Sequence, residues 1–175
     1  MAEAARQIAD LIDRLQVAYT ASSTALIFLN DPDVARLLTA KGYDPGTTIR
    51  LGRKDGSYYD GIRLWESIEQ VRNNAPFNRD YLGGHFSTSL SWVGDHLKRA
   101  GYFDKSPELE FFRHLRNGVS HGNRFHFDNG EPRRPARFRT FEVTAELEGQ
   151  SVLFAYIMPG DLFDLFDAIM LVPGL

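Results

Sequence analysis

Histidines and arginines are crowded into one short part of the chain, between Glu108 and Phe127. This stretch holds three of the five histidines, together with three arginines. An ionisable side chain is rarely buried without a partner, so several of them on one helix with an apolar stripe indicate a lined cleft or an interface. Histidine exchanges a proton near neutral pH, and arginine offers paired donors to a phosphate. Together these residue types favour acid–base chemistry on a phosphate-bearing substrate.

The residues of this stretch fall on a helix whose start is well marked. Ser106 can cap the helix, Pro107 suits its first position, and Glu108 and Glu110 meet the positive end of the helix dipole. We therefore expect the helix to begin at about Pro107 and to have two faces. The apolar face comprises Leu109, Phe111, Phe112, Leu115 and Val119. The opposite, cationic face comprises Arg113, His114, Asn117, His121 and Arg124.

The segment from Arg116 to His121 (RNGVSH) resembles the Arg-x4-6-His motif of the HEPN superfamily, the higher eukaryotes and prokaryotes nucleotide-binding domains. In that family a polar residue, often asparagine, follows the arginine, and Asn117 matches it. The resemblance covers the motif helix closely and the rest of the chain only through its helical character. It implies a mainly α fold, an HEPN-like helical bundle over residues 1–175.

Many HEPN proteins are metal-independent endoribonucleases that act as dimers, with the two Arg-His pairs facing each other, whereas others have lost activity and only bind. The resemblance therefore implies that Arg116 holds the scissile phosphate, His121 is the general acid or base, and Asn117 orients them. It implies RNA as substrate, a homodimer through the motif helix, a cognate antitoxin as a partner, a role as a toxin or in phage defence, and neither cofactor nor metal. The surrounding phosphate-binding rim is expected to comprise Arg113, His114, Ser120 and Arg124.

The helical spacing does not by itself bring Arg116 and His121 together. Five residues amount to about 500° of rotation, so the two side chains diverge by about 140° on an ideal helix. Three arrangements remain open: the helix frays at Gly118 and Gly122, the long Arg116 side chain reaches around, or the counterpart comes from a second subunit. A purely structural alternative also remains, in which Gly122 ends the helix and nearby cations complement its dipole.

Two other readings of the same residues compete with the ribonuclease. One is a catalytically silent module that binds nucleic acid, a nucleotide or a protein partner. The other is a metal site built from His114, His121 and His126. The metal site is disfavoured, because His114 and His121 are two turns apart and no carboxylate lies at ligand spacing with them.

Composition narrows the class of protein. A chain of 175 residues with 43% hydrophobic and 25% charged residues predicts one globular domain with a sizeable core. The absence of cysteine excludes disulfides, thiolate metal sites and cysteine nucleophiles. No signal-like or membrane-spanning run appears, so we expect a cytoplasmic protein without a membrane partner. The net charge is -3, yet the part from Lys98 to Arg139 contains ten lysines and arginines against five acids.

Hydrophobic periodicity predicts helices along most of the remaining chain. A hairpin is predicted from strands over 141–145 and 152–156, where apolar and polar residues alternate. Residues 43–61 are rich in turn formers and are expected to form an exposed loop with at most a brief strand or turn of helix, either a functional lid or a plain connection. The four arginines of 133–139, with Phe138 among them, form either a nucleic-acid clamp or a solvated linker. The other helices are expected at about 3–19, 25–29, 32–41, 62–75, 80–99 and 162–172.

Overall fold

The computed structural model describes residues 2–103, 106–127 and 132–172. Within these ranges the chain forms six α-helices and two small antiparallel sheets, which confirms the mainly α class. Every helix in the described ranges is too short or too polar to cross a lipid bilayer. In chain order the elements are α1 Ala2–Asn30, α2 Pro32–Ala40, β1 Thr48–Gly52, β2 Tyr58–Arg63, α3 Leu64–Asn73, α4 Ala75–Arg99, α5 Pro107–Ser120, β3 Arg137–Phe138, β4 Phe141–Glu142, a 3-10 turn at Ala145–Leu147, and α6 Pro159–Met170.

Two compact units make up the chain, which its length predicts to be a single domain. The first unit comprises Met1–Ala18 and Gly83–Leu175, and the second comprises Tyr19–Leu82. The first unit holds nearly all of the buried apolar side chains and the whole of α5. It is therefore the unit that positions the candidate site.

Helix α5 lies in the core of the first unit. Leu109, Phe111, Phe112 and Leu115 have no exposed surface, and Phe112 packs against Phe166 of α6 with ring centroids 6.1 Å apart. Burying a large apolar side chain contributes about 1.5–3 kcal/mol, so the predicted apolar face is what anchors this helix. Packing holds α5 along most of its length. The backbone that carries the side chains at its C-terminal end is therefore held in place.

An aromatic cluster in the first unit replaces the hairpin that the sequence predicts over 141–156. Phe111 lies about 6 Å from the rings of Phe138, Phe141 and Tyr156, and Tyr156 packs edge-on against Phe125 at 5.0 Å. Phe141 pairs with Phe138 in the short β3–β4 hairpin, so the predicted pairing of 141–145 with 152–156 is wrong. Contacts among these aromatic rings take the place of the predicted strand pairing, which would be only marginally stable as an isolated two-stranded sheet.

A hairpin in the second unit was not predicted. Residues 43–61 contain β1 and most of β2, which pair antiparallel around a turn at Asp55 and Gly56. Gly56 adopts a positive φ of 82°, and Asp55 accepts a hydrogen bond from the Ser57 amide at 2.9 Å. An Asp-Gly pair between apolar residues is a strong hairpin signal. The structure therefore has more strand here than the brief strand that the sequence predicts, although nearly all of its residues are exposed as expected.

Several helix boundaries differ from the expectation. Helix α1 runs without a break to Asn30, so the separate helix predicted at 25–29 is its last part. Helix α4 begins at Ala75, about one turn before the predicted start, and includes Pro76 in its first turn, where a missing N–H is tolerated. Asn74 caps this start, because its side-chain oxygen accepts from the Phe77 amide at 3.1 Å.

Candidate active site

Helix α5 begins and ends where the sequence predicts. The Ser106 hydroxyl accepts a hydrogen bond from the Leu109 amide at 3.3 Å, with Pro107 in the first position. His121 is the C-terminal cap, its backbone N–H bonds to the Asn117 carbonyl at 3.1 Å, and Gly122 follows with a φ of 75°. Glycine adopts this left-handed conformation without strain, so the chain turns sharply immediately after His121. That turn leaves the His121 side chain exposed at the end of the helix.

A buried charged triad occupies the first half of α5. The Glu110 carboxylate, 2% exposed, binds the Arg113 guanidinium and lies 3.5 Å from Nε2 of His114, which is 7% exposed. The expectation that His114 lines an open phosphate-binding rim is therefore wrong: it faces the interior and packs edge-on against Phe127. Glu110 lies three residues before Arg113 and four before His114, a spacing that brings all three groups onto one side of the helix.

Burial and the charge of Arg113 determine the protonation states of Glu110 and His114. Burial acts to raise the pKa of Glu110, but the hydrogen bond and charge of Arg113 outweigh it and lower that pKa below its usual 4.5. Burial, helped by the Arg113 charge, lowers the pKa of His114 below its usual 6.5, against the opposing effect of Glu110. At neutral pH the triad is a Glu110–Arg113 ion pair beside an uncharged imidazole. Arg113 and His114 are thus engaged with Glu110 inside their own chain.

Arg116 leaves α5 towards α4. Its Nη2 donates to Asp95 Oδ1 at 2.8 Å, and its Nη1 lies 3.4 Å from Asn117 Oδ1. The aliphatic part of the side chain crosses Gly94, where an added Cβ would lie 2.8 Å from Arg116 Cγ. Glycine at position 94 therefore leaves space for the Arg116 side chain. The carboxylate of the next residue, Asp95, forms an ion pair with the guanidinium. Asp95 is 52% exposed, so this ion pair is open to solvent.

The structure narrows the three arrangements left open for Arg116 and His121. The helix stays regular through Gly118 to Ser120, so it does not fray at Gly118. Gly118 is instead buried, because a Cβ there would lie 2.5 Å from Val152 Cγ2. Within the described part of the chain, no hydrogen bond or ring contact joins Arg116 to His121. The remaining arrangement, a counterpart from a second subunit, stays a prediction.

Asn117 and Ser120 complete the predicted set on this helix. Asn117 lies one turn before His121 and is partly exposed. Ser120 is exposed, and its hydroxyl donates back to the Arg116 carbonyl at 2.9 Å. A serine hydroxyl that donates to its own helix keeps both lone pairs for other donors, but its proton is no longer available to a phosphate oxygen. Its contribution to a phosphate site is accordingly weak.

A pair of exposed histidines lies at the C-terminal end of α5. The rings of His121 and His126 have centroids 5.6 Å apart, and Nδ1 of His126 lies 3.1 Å from Glu148 Oε1. The side chains of His126 and Glu148 are 52% and 49% exposed. Two imidazoles and a carboxylate are thereby brought together on an open surface. The sequence does not single out His126 for this pairing, because the turn at Gly122 that brings it back to His121 is needed first.

Arg124 adds a cation to the same end of the helix. One of its guanidinium nitrogens donates to the Gly149 carbonyl at 2.6 Å, and its backbone N–H bonds to the Gly118 carbonyl at 3.0 Å. Among the described residues no carboxylate forms an ion pair with Arg124. Its remaining donors therefore face solvent close to the chain turn that carries the histidines. This arginine is the predicted rim residue best placed to meet an anion.

The arginines of 133–139 form a separate basic surface. Arg133 and Arg137 are exposed, and a groove of about 360 Å³ is lined by 132–136 and 142–145. Phe138 is 5% exposed and packs in the aromatic cluster, so it is not available to stack on a base. Arg139 covers the Phe138 ring at 5.3 Å and pairs with Asp164. Residues 128–131 lie outside the part of the chain that the structure describes.

The donor sets needed for a metal site do not assemble in the ranges described. No group of three histidine, aspartate or glutamate side chains there is arranged to hold a metal ion. His114, which the metal reading would combine with His121 and His126, is bonded to Glu110 in the interior. Comparison with protein-family models, with curated proteins and with solved structures found no match for this chain.

Two residues of the site carry no sequence signal. Asp95 and Glu148 are acids among many, and each is brought to the end of α5 by the fold from a distant part of the chain. A carboxylate that orients an imidazole is recognised by geometry and not by spacing in the sequence. Only the interior triad has a local sequence signal, which is the spacing of Glu110 to Arg113 and His114.

Proposed function

We propose that this chain is a metal-independent endoribonuclease of the HEPN type, and that its reactive surface is the C-terminal end of α5. The observation that carries the proposal is the exposed His121, held by the turn at Gly122, with Arg124 on the same turn and Asn117 one helical turn behind. An exposed imidazole at a capped helix end, with an arginine three residues further along the chain, is suited to proton transfer at a phosphodiester.

The chemistry required is a transesterification within RNA. A base removes the proton of the 2′-hydroxyl, the O2′–P bond forms, the P–O5′ bond breaks, and an acid returns a proton to the departing O5′. The products carry a 2′,3′-cyclic phosphate and a 5′-hydroxyl. His121 performs one of these two proton transfers, since a positioned imidazole contributes about 10²–10⁴-fold to the rate of such a step.

Cations supply the second requirement, the stabilisation of charge on the phosphorane. Arg124, three residues after His121, keeps guanidinium donors beyond the one bonded to the Gly149 carbonyl and supplies a positive charge to this turn. Arg116, which the family motif implies as the phosphate ligand, must share its charge between a phosphate and Asp95. Its contribution to RNA binding is therefore smaller than that of an unpaired arginine.

The pairing of Arg116 with Asp95 also favours a second candidate, a catalytically silent module that binds RNA or another phosphate-bearing partner. In this case the motif arginine is retained for packing against Gly94, and the end of α5 contributes only affinity. The two candidates differ in one observable: both bind RNA, but only the enzyme cleaves it.

A homodimer remains part of the proposal, with a restricted interface. Most of α5 is covered by residues of its own chain, including Gly118, so a second copy can meet only its C-terminal turns. A two-fold contact there places two copies of His121 near each other and brings each near the partner's cations. A cognate antitoxin would suppress activity by covering the same end of the helix.

The test is cleavage of a labelled RNA by the purified protein in EDTA, beside His121→Ala. We expect wild-type cleavage, a loss of about 100-fold or more in the variant, and RNA affinity in both. His96→Ala is the matched control, because this histidine is bonded to Trp92 on its own helix. Binding without cleavage by wild type supports the silent module, and equal cleavage by wild type and His121→Ala contradicts the proposed site.

A further inference from the structure

The second unit, Tyr19–Leu82, buries very little of its apolar surface. Of the buried apolar side chains in the described residues, it contributes only Ile68 and Val71. Single exposed apolar residues are ordinary, but their concentration in one unit indicates a surface that meets a partner. Ten of the fourteen large apolar side chains that are exposed in the described ranges belong to this unit: Ile27, Phe28, Leu37, Tyr43, Ile49, Leu51, Tyr58, Tyr59, Phe77 and Tyr81.

The β1–β2 hairpin of this unit has one apolar and one charged face. Side chains alternate between the two faces of a sheet, so apolar residues that lie opposite each other in register share a face. Arg50 and Asp60 lie on the other face, where they form an ion pair at 3.0 Å. The apolar face, which we call the hairpin face, consists of two cross-strand pairs, Ile49 with Ile62 and Leu51 with Tyr59.

The hairpin face is flat and open to solvent. The Tyr59 ring lies over Gly61, where an added Cβ would be 2.3 Å from the tyrosine hydroxyl oxygen. Ile49, Leu51 and Tyr59 are 41%, 50% and 48% exposed, so about half of each residue faces water. A two-stranded sheet without cover is only marginally stable in water. A partner that buries the hairpin face therefore stabilises the hairpin.

The charges of the second unit favour a second copy of this chain as the partner. The unit contains eight lysines and arginines and eight aspartates and glutamates, so its net charge is zero. Two copies therefore meet without net repulsion, whereas RNA finds no excess of cations to bind. Arg53 lies at the margin of the hairpin face, with its guanidinium carbon 5.9 Å from the centre of the Tyr59 ring. An apolar centre with a charged margin is the usual arrangement of a protein interface.

The exposed apolar area of the unit has the size that a dimer interface requires. Six of the ten exposed side chains are aromatic, and they are 39% to 63% exposed. An aromatic side chain has about 150–250 Å² of surface, so these six expose on the order of 600 Å², to which four aliphatic side chains add. A stable interface covers about 800 Å² on each partner. The apolar surface of this unit is therefore sufficient for one interface between two copies.

We propose that a second copy of this chain docks on the hairpin face, so that two hairpins pack face to face about a two-fold axis. In such a contact the same residues come from both copies, and an apolar face without charge is complementary to itself. Two sheets packed in this way lie about 10 Å apart, with the side chains of both between them. This interface does not depend on the proposed ribonuclease function and uses none of the residues at the end of α5.

The test is sedimentation velocity of the purified full chain over a range of concentrations, for wild type and Leu51→Lys. We expect a wild-type dimer, and a dissociation constant about 100-fold or more higher in the variant, because each copy then places a charge in the apolar centre. Val17→Lys is the matched control, since Val17 is 62% exposed on α1 and belongs to the first unit. It should leave the dissociation constant unchanged.

Hydrogen exchange of the wild-type chain gives a second readout that needs no variant. The amides of β1 and β2 should exchange more slowly above the dissociation constant than below it, because a hairpin covered by its copy opens less often. The amides of α6, in the first unit, should exchange at a rate that does not depend on protein concentration. Circular dichroism shows whether Leu51→Lys is folded, and if it is not, hydrogen exchange alone decides.

Every outcome supports or overturns the second copy as the occupant. Loss of the dimer in Leu51→Lys alone, with slower hairpin exchange in the wild-type dimer, supports it. A wild type that is still monomeric at about 100 µM overturns it and leaves the hairpin face to a different protein. A dimer that Leu51→Lys forms equally well, that both lysine variants lose alike, or that leaves hairpin exchange unchanged also overturns it. RNA cleavage is measured separately, so failure of the ribonuclease proposal does not change this result.

Discussion

Arg116 and Asp95 form an ion pair of 2.8 Å that joins the end of α5 to α4. The aliphatic part of Arg116 passes over Gly94, and the next residue provides the carboxylate. The motif arginine is thus held by its own chain, with its charge partly neutralised. The ion pair with Asp95 therefore limits how strongly Arg116 can bind a phosphate.

Asp95→Asn should release Arg116 and strengthen RNA binding. Removal of the carboxylate leaves a guanidinium with its donors free for a phosphate, so we expect a Kd a few-fold lower at low salt, with a steeper dependence on salt concentration. Asp33→Asn is the matched control: it removes the same charge from an exposed pair with Arg36 in α2. Equal changes in the two variants would show that only net charge matters, and that Arg116 does not contact RNA.

Gly118→Ala should destabilise the protein although alanine favours helix. A Cβ at 118 would lie 2.5 Å from Val152 Cγ2 and 3.2 Å from the Arg124 carbonyl oxygen. Overpacking of this kind costs about 1–3 kcal/mol, more than the gain in helix propensity. In contrast, Gly84→Ala in α4 meets nothing within 4 Å and should be neutral or stabilising by up to about 1 kcal/mol. Urea unfolding of both variants measures the difference, and a Gly118→Ala protein as stable as Gly84→Ala would contradict the described packing.

The buried triad predicts a loss of stability in acid. The pKa of His114 is lowered below 6.5 in the folded protein, mainly by burial, so below that pH the unfolded chain binds a proton that the folded chain does not. The free energy of unfolding therefore falls as pH drops from 6.5. The lowered pKa of Glu110 adds a further loss below 4.5, with the same sign.

His114→Gln isolates the first of these two effects. The variant lacks the imidazole, so its free energy of unfolding should change less than that of wild type as the pH falls from 7 to about 5.5. Urea unfolding at several pH values gives the two curves, with His96→Gln as the control for a histidine outside the core. Parallel curves for wild type and His114→Gln would contradict the buried, neutral state of His114.

Tyr156→Phe should lower the free energy of unfolding by about 1 kcal/mol. The ring stays in the aromatic cluster, but the 2.8 Å hydrogen bond from the hydroxyl to the Glu142 carbonyl is lost. Burial raises the pKa of Tyr156 to about 12, so wild type also loses stability as the pH rises from 10 to 12, and the variant lacks this contribution. Tyr58→Phe, at an exposed position in β2, is the control and should change stability by less than about 0.5 kcal/mol. Equal unfolding curves for the two variants would refute the hydrogen bond.

Local signals predict the scaffold of the site well. Ser106, Pro107 and Gly122 act on residues that lie close to them in the sequence. The start and end of α5 can therefore be predicted from the sequence. Propensity and periodicity also give most of the helices. The observed helix boundaries differ from the predicted ones where a side chain such as Asn74 caps a helix before its predicted start. Such a cap depends on one hydrogen bond more than on composition.

Long-range partners account for what the sequence does not predict. The alternation around Phe141 indicates a strand, but the choice of partner depended on Phe111, a residue of α5 that the pattern does not include. The helical wheel placed His114 on the open face because it took no account of Glu110, which binds it inside. Glu148 and Asp95 reach the site only through the folded chain, and no spacing rule identifies them.

The proposed function requires that RNA occupies the end of α5. The measurement is a titration, followed by NMR of the imidazole carbons of all five histidines, with an RNA made uncleavable by a 2′-deoxy substitution at the scissile position. We predict that the resonances of His121 and His126 shift together and saturate, while those of His85 and His114 change little, because the first is bonded to the Leu15 carbonyl and the second is buried. If RNA binds and the resonance of His121 stays unchanged, or if no RNA binds, the end of α5 is not a nucleic-acid site and the central claim is wrong.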